Sequence, residues 1–147
     1  MKVLSLAVDG LERAHAEGLL KWAFQQDADV ICFQDTQCSE YSLPSNDFFP
    51  ENYHAYFADN YDDAKVNGVA VYCRKMPKAV MFGLGFMDFD HLGIYIQADY
   101  DDCSIGSIMV PPAVGERGDK EFKMRFLQQL GAHLQKVSNK KRDFILC

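Results

Sequence analysis

Apolar positions along the chain follow two periods, and their alternation predicts most of the secondary structure. The run Lys2–Val8 is aliphatic and ends at Asp9-Gly10, which reads as a buried strand closed by a turn. From Glu12 to Gln26, Ala16, Leu19, Leu20, Ala23 and Phe24 recur at helical spacing with Glu12, Arg13, Glu17 and Lys21 off the stripe, so a helix follows. Val30–Gln34 is a second buried strand. Strand, helix and strand within so short a span is the βαβ rhythm, which favours a right-handed crossover between parallel strands.

The pattern then changes. A polar stretch from Asp35 to Asn52 carries Pro44 and Pro50. Five strand-like runs follow with no helix between them: Tyr53–Ala58, Gly68–Arg74, Ala79–Leu84, Gly93–Tyr100 and Cys103–Val110. Their separators are turn-like (Asp62-Asp63, Lys75-Met76-Pro77, Asp88–His91, Asp101-Asp102), which predicts an antiparallel meander. Pro111-Pro112 closes the last run. A second helix is expected over Lys120–Ser138, with an apolar face of Phe122, Phe126, Leu127, Leu130, Leu134 and Val137, and a further strand begins at Asp143. Val30–Phe33 and Val69–Tyr72 are apolar at every position, the mark of strands buried on both faces. With helices expected over one face of a single sheet, the other face calls for a second copy of the chain or a separate C-terminal half, packed sheet on sheet.

The 147 residues, nearly half of them apolar, suffice for the core of one domain, and no internal repeat or linker divides residues 1–147. No apolar run is long enough to span a bilayer, and the N-terminal run is too short for a secretory signal, so a cytoplasmic protein is expected. The five cysteines are odd in number, widely spaced and set mostly in apolar runs. They fit reduced, buried thiols rather than a disulfide or zinc framework. The net charge of −6 makes the chain a weak partner for duplex DNA, whose phosphates demand Lys and Arg. The basic stretch Lys136, Lys140, Lys141 and Arg142 is the candidate for nucleic-acid contact, although cations at a helix C-terminus also complement the helix dipole. His15, His54, His91 and His133 show no metal-ligand spacing, and no serine lies in a nucleophile elbow.

The residues at the strand ends carry a more specific signal. Ser5–Leu11 resembles the opening of exonuclease III-type proteins, in which strand one ends in Ser-x-Asn-x-Asn-Gly. Ala28–Thr36 resembles their Asp-Ile/Val, three apolar residues, Gln-Glu-Thr hallmark. Asn67–Tyr72 is similar to their Gly-Val-Ala strand, and Ile108–Pro111 stands where they have Tyr-x-Pro. In this order and spacing the chain resembles the endonuclease/exonuclease/phosphatase superfamily over essentially its whole length. Gly18–Trp22, Pro77–Phe86 and Tyr95–Asp99 are similar to one branch of it, the catabolite repression control proteins.

The resemblance implies an α/β fold with a mixed sheet, the N-terminal half of a four-layer α/β/β/α sandwich, with the second half of the family's site absent from these residues. It also implies two readings of function. In the first, the protein is a non-catalytic regulator that acts with an RNA chaperone and mRNA in translational repression and needs no cofactor. In the second, it is a metal-dependent exonuclease III or AP endonuclease, hydrolysing phosphodiesters in DNA repair with Mg2+ or Mn2+. Asp35 stands at the family's metal-binding Glu, one methylene (about 1.5 Å) shorter, and Asp9 at its second Asn. Ala7 replaces the first Asn and Met109 the Tyr, and neither offers a hard ligand or a hydrogen bond to phosphate. These replacements favour the regulator.

Overall fold

A computed structural model describes residues 1–115, 118–140 and 142–147. Strand β1 (Val3–Ala7) leads into two short helices, α1 (Leu11–Ala16) and α2 (Leu19–Phe24), and then β2 (Val30–Gln34). The single helix expected over Glu12–Gln26 is therefore broken. The break is at Gly18, whose φ of 82° lies in the left-handed region that ends a helix at little cost to glycine. Leu20 and Ala23 still face the core, so the apolar stripe runs through the break and conceals it.

The later strands are β3 (His54–Ala58), β4 (Val69–Cys73), β5 (Ala79–Phe82), β6 (Tyr95–Asp99), β7 (Cys103–Ile108) and β8 (Asp143–Leu146), with α3 (Lys120–Ser138) before β8. They do not form one meander. One sheet has the order β1-β2-β4-β3 and the other β5-β6-β7-β8. The chain changes sheet at Lys75-Met76-Pro77, a turn that reads in sequence like any hairpin. Both sheets are mixed, because β1 pairs parallel with β2 and β7 with β8 while the remaining pairs are antiparallel.

The two sheets pack face to face within this one chain. Val30, Cys32, Val69, Val71 and Cys73 meet Ile96, Ala98, Tyr100, Cys103 and Ile105 between them. Alternate residues turn outward: Ile31, Phe33, Ala70 and Tyr72 are covered by Leu11, Ala14, Leu20 and Ala23 of α1 and α2. On the far side, α3 buries Phe126 and Leu130 against Phe89 and Ile94, with Ile108 packed beside them. Leu127, expected on the buried face, is exposed. Four layers thus form as α/β/β/α, and the doubly apolar strands find their second face in the chain's own second sheet. The expectation of one sheet whose open face needs a second copy or a separate C-terminal half is corrected. The five cysteines are free, four of them buried. Among the described residues no helix is long and apolar enough to cross a membrane.

Candidate functional site

The ends of β1, β2 and β4 converge at one end of the sandwich through main-chain hydrogen bonds. Past β1, the amides of Val8, Gly10 and Leu11 donate to the carbonyls of Gln34 (2.9 Å), Asp35 (2.8 Å) and Thr36 (2.8 Å). From the other side, the amides of Thr36 and Gln37 donate to the carbonyls of Gly68 (3.0 Å) and Asn67 (2.8 Å). This lacing requires left-handed backbone at Asp9 (φ 47°), Gly10 (97°), Asp35 (59°), Gln37 (53°), Asn67 (63°) and Gly68 (98°). Asn and Asp tolerate that region better than most residues, and such concentrations of unfavourable backbone mark functional sites. At Gly68 a Cβ would lie 2.3 Å from the Thr36 hydroxyl, so the approach of the two segments itself demands glycine.

Asp35 projects from the centre of this junction. One carboxylate oxygen is buried with no hydrogen-bond partner among the described residues, a costly state that a cation would relieve. Asp9 is differently placed. Its carboxylate receives the Arg13 guanidinium at 2.9 Å and the Gln37 side-chain amide at 2.9 Å, on an exposed surface. Among the described residues, no group of three His, Cys, Asp or Glu side chains could hold a metal. Beneath the junction, the Gln34 amide donates to the Ser107 hydroxyl (2.8 Å), which itself donates to the Phe33 carbonyl (3.4 Å), while Ser5 donates to Gln34 (3.3 Å). These three polar residues tie the sheets together next to the site. Their signal in the sequence was a polar side chain inside an apolar run, which strand periodicity alone does not interpret. Ala7 is exposed at the end of β1, and Met109 lies where the inter-sheet core meets the α3 layer.

Two loops complete this end. The Tyr61 amide donates to the His91 carbonyl (3.0 Å) and the Asn67 side chain to the Leu92 carbonyl (3.4 Å), while a Cβ on Gly93 would lie 2.3 Å from the Asp59 carbonyl carbon. Asp59 is thereby brought beside Asp90, and the two loops, which also carry Asp62, Asp63 and Asp88, sit on the same end as Asp9 and Asp35. The basic residues lie at the other end, where α3 finishes. Lys136 and Lys140 are exposed there, but the Arg142 guanidinium is engaged with the carbonyls of Tyr100 and Cys103. Lys141 lies outside the described residues. Acidic and basic candidates are thus separated by the length of the strands.

Two ionisable groups are displaced by their surroundings. His133, packed on Phe86 under α3, is held below its usual pKa by desolvation and then by Lys140 and Lys136. Cys147 meets Cys32 between the sheets. The Cys32 thiol hydrogen bond, helped by Ser5 and opposed by burial, lowers Cys147 to about 7, while Cys32 itself is pushed up.

Comparison with known proteins bears on these features. The chain is 35% identical over 114 residues to the DNA repair nuclease APEX1 of Danio rerio, covering 77% of this chain and 37% of that protein. It is 28% identical over 149 residues to an exodeoxyribonuclease of Bacillus subtilis, covering all of this chain and 57% of the relative. Among solved structures, an AP endonuclease from Archaeoglobus fulgidus superposes with a TM-score of 0.83 at 24% identity, over 100% of this chain and 56% of that one. A 3'-5' exonuclease from Neisseria meningitidis gives 0.82 at 17% identity over 99% and 56%. The chain therefore spans little more than half the length of these proteins, or less. Residues 8–147 match the model of the Endonuclease/Exonuclease/phosphatase family, and with the four-layer sandwich and the junction around Asp35 in place, the chain belongs to that family.

Proposed function

We propose that the protein containing this chain is a metal-dependent phosphodiesterase of the exonuclease III and AP endonuclease group, acting on nucleic acid, with Asp35 as a carboxylate of the metal site. The observation that carries this reading is the buried, unpartnered Asp35 oxygen at the meeting point of β1, β2 and β4. A single carboxylate suits Mg2+, which commonly keeps several waters and takes one or two carboxylates together with substrate phosphate; Mn2+ accepts the same oxygen donors. The bound cation would polarise the phosphoryl oxygen. The chain's own contribution is to hold the Asp35 carboxylate in place through the backbone lacing and the Gln34, Ser107 and Ser5 hydrogen bonds. Names of relatives such as DNA repair nuclease and exodeoxyribonuclease support this reading.

The test is cleavage of a duplex carrying one abasic site. We expect Mg2+-dependent cleavage that chelation abolishes and that Asp35→Asn lowers at least 100-fold, with a matching loss of Mn2+ binding by electron paramagnetic resonance. Absence of metal-dependent cleavage, or full activity in Asp35→Asn, refutes the reading.

A second reading rests on Ala7 and Met109, which offer neither an oxygen nor a nitrogen where family members use side-chain donors. Here the protein is a cytoplasmic regulator, resembling the catabolite repression control branch, that assembles with an RNA chaperone and mRNA. It predicts no cleavage, and a supershift of a chaperone and mRNA complex in gel electrophoresis. In both readings the acidic loops keep the chain's affinity for duplex DNA low.

A further inference from the structure

The loops at Asp59–Val66 and Leu84–Gly93 and the adjoining edge of β5 form a second surface beside the junction around Asp35. Tyr61 is 82% exposed, Phe82 56% and Met87 95%. Tyr61 and Phe82 line one hollow of about 140 Å3 with Asp59 and Asp90, floored by Gly83, Gly93 and Tyr95. Asp62, Asp63 and Asp88 stand in the same two loops, whose only Lys or Arg is Lys65. Among the described residues, no ion pair involves Asp59, Asp62, Asp63 or Asp90, and Asp88 has only Arg125 at 3.8 Å. The carboxylates are nonetheless held in place. Asp90 accepts the Leu84 amide at 2.8 Å and Asp63 the Lys65 amide at 2.9 Å.

The third component is backbone. β5 is an edge strand that pairs only with β6, so its other side offers unpaired amides and carbonyls to an added strand. Natural edges are usually blunted by inward charge, proline or a covering segment. Here Ala79–Phe82 carries no charge or proline, and Met81 and Phe82 are exposed along it.

We propose that this edge and its acidic rim form a docking surface for an extended, basic segment of a partner protein, which adds a strand beside β5 and places Arg or Lys over Tyr61 and Phe82. The charge of the surface selects the occupant. A guanidinium can stack on the exposed rings while it bonds to the neighbouring carboxylates, two interactions that need the same cation in one place. A nucleic acid would bring phosphates against five carboxylates, and a second copy would bring a chain of net charge −6. The surface lies on the β3 and β5 side of the sandwich, away from β1 and β8.

The experiment uses a fluorescein-labelled hexapeptide of alternating arginine and valine, titrated by anisotropy at two salt concentrations, beside a peptide with glutamate for arginine. We expect micromolar binding of the basic peptide alone, weakened at least tenfold by the double variant Tyr61→Ser with Phe82→Ser and by Asp62→Asn with Asp63→Asn. Glu12→Gln with Glu51→Gln, which removes the same charge elsewhere on the surface, should bind as the parent does. Circular dichroism establishes that each variant is folded, and a photoreactive valine analogue should crosslink to β5. No binding, equal weakening by the Glu12 and Glu51 pair, or crosslinks elsewhere would overturn the proposal. So would sedimentation showing a dimer that Phe82→Ser dissociates, since the surface would then belong to a second copy.

Discussion

Gly93 joins the two acidic loops, and replacing it tests whether that junction is as close as the structure shows. Its φ is 63°, and a Cβ would lie 2.3 Å from the Asp59 carbonyl carbon and 2.6 Å from the Asn60 nitrogen. Both are backbone atoms, which cannot rotate away as a side chain does. Gly85 is the matched control, with φ 79° and nothing within 4 Å of the added Cβ. Placing an L-residue in left-handed backbone costs about 1–2 kcal/mol, offset by about 0.4–1 kcal/mol because alanine restricts the unfolded chain. Gly85→Ala should therefore destabilise by roughly 0.5–1 kcal/mol. Gly93→Ala adds an overpacking cost of about 1–3 kcal/mol, for a total of about 2–4 kcal/mol. With a slope near ~2 kcal/mol/M, the urea midpoint should fall by roughly 1–2 M for Gly93→Ala and by less than about 0.5 M for Gly85→Ala. Hydrogen exchange should quicken at Asn60 and Tyr61 in the first variant only. If the two variants unfold at the same urea concentration and exchange at Asn60 is unchanged, the loops do not meet at Gly93.

Three other outcomes are expected. Tyr72→Phe should stabilise the protein by about 1 kcal/mol in urea titration, because the Tyr72 hydroxyl is buried without a partner among the described residues; a destabilised variant would reveal a bond to that hydroxyl. Native-state alkylation with iodoacetamide, followed by mass spectrometry, should modify Cys147 first, with a rate that rises through about pH 7, and Ser5→Ala should move that midpoint upward. Because folding lowers the His133 pKa, the unfolded chain takes up the proton more readily, so this residue's contribution to stability is full above about pH 6.5 and is lost as pH falls toward the depressed folded value. His133→Gln should flatten the stability profile between pH 7 and 5.5, and an unchanged slope would count against the burial of that ring.

The first third of the chain was legible because its signals are local. Val3–Ala7 and Val30–Gln34 are apolar runs closed by Asp-containing turns, and β1 and β2 stand where the pattern placed them. The break at Gly18 was hidden by an apolar stripe that continues through it. The division into two sheets was hidden for a different reason. Lys75-Met76-Pro77 looks like a hairpin turn, and nothing in Val69–Cys73 says whether its second apolar face will meet a helix, another molecule or β6 and β7. That choice depends on contacts far apart in sequence, which periodicity does not encode. At the site, Asp35 was legible as a residue type at a strand end. The conformations of Gln37 and Asn67 were not, because a left-handed backbone at a residue other than glycine is imposed by the lacing around it. The basic residues near Arg142 group in sequence but differ in placement, since Lys136 and Lys140 are exposed while the Arg142 guanidinium bonds to the carbonyls of Tyr100 and Cys103.

The left-handed residues at the strand junction bear on how far the family's hallmarks can be trusted as marks of catalysis. Asp9-Gly10, Asp35, Gln37 and Asn67-Gly68 hold left-handed dihedral angles that few residue types accept readily, and the demand comes from closing the sandwich. Ala7 and Met109, by contrast, lie outside the left-handed region, so their backbone accepts most residue types. A lineage that lost its chemistry would keep the first set for folding while the second set changed, and its sequence would still carry most of the signature of an enzyme. Inheritance of activity is better judged where the backbone accepts most residues, and where a buried polar group lacks a partner, as at Asp35.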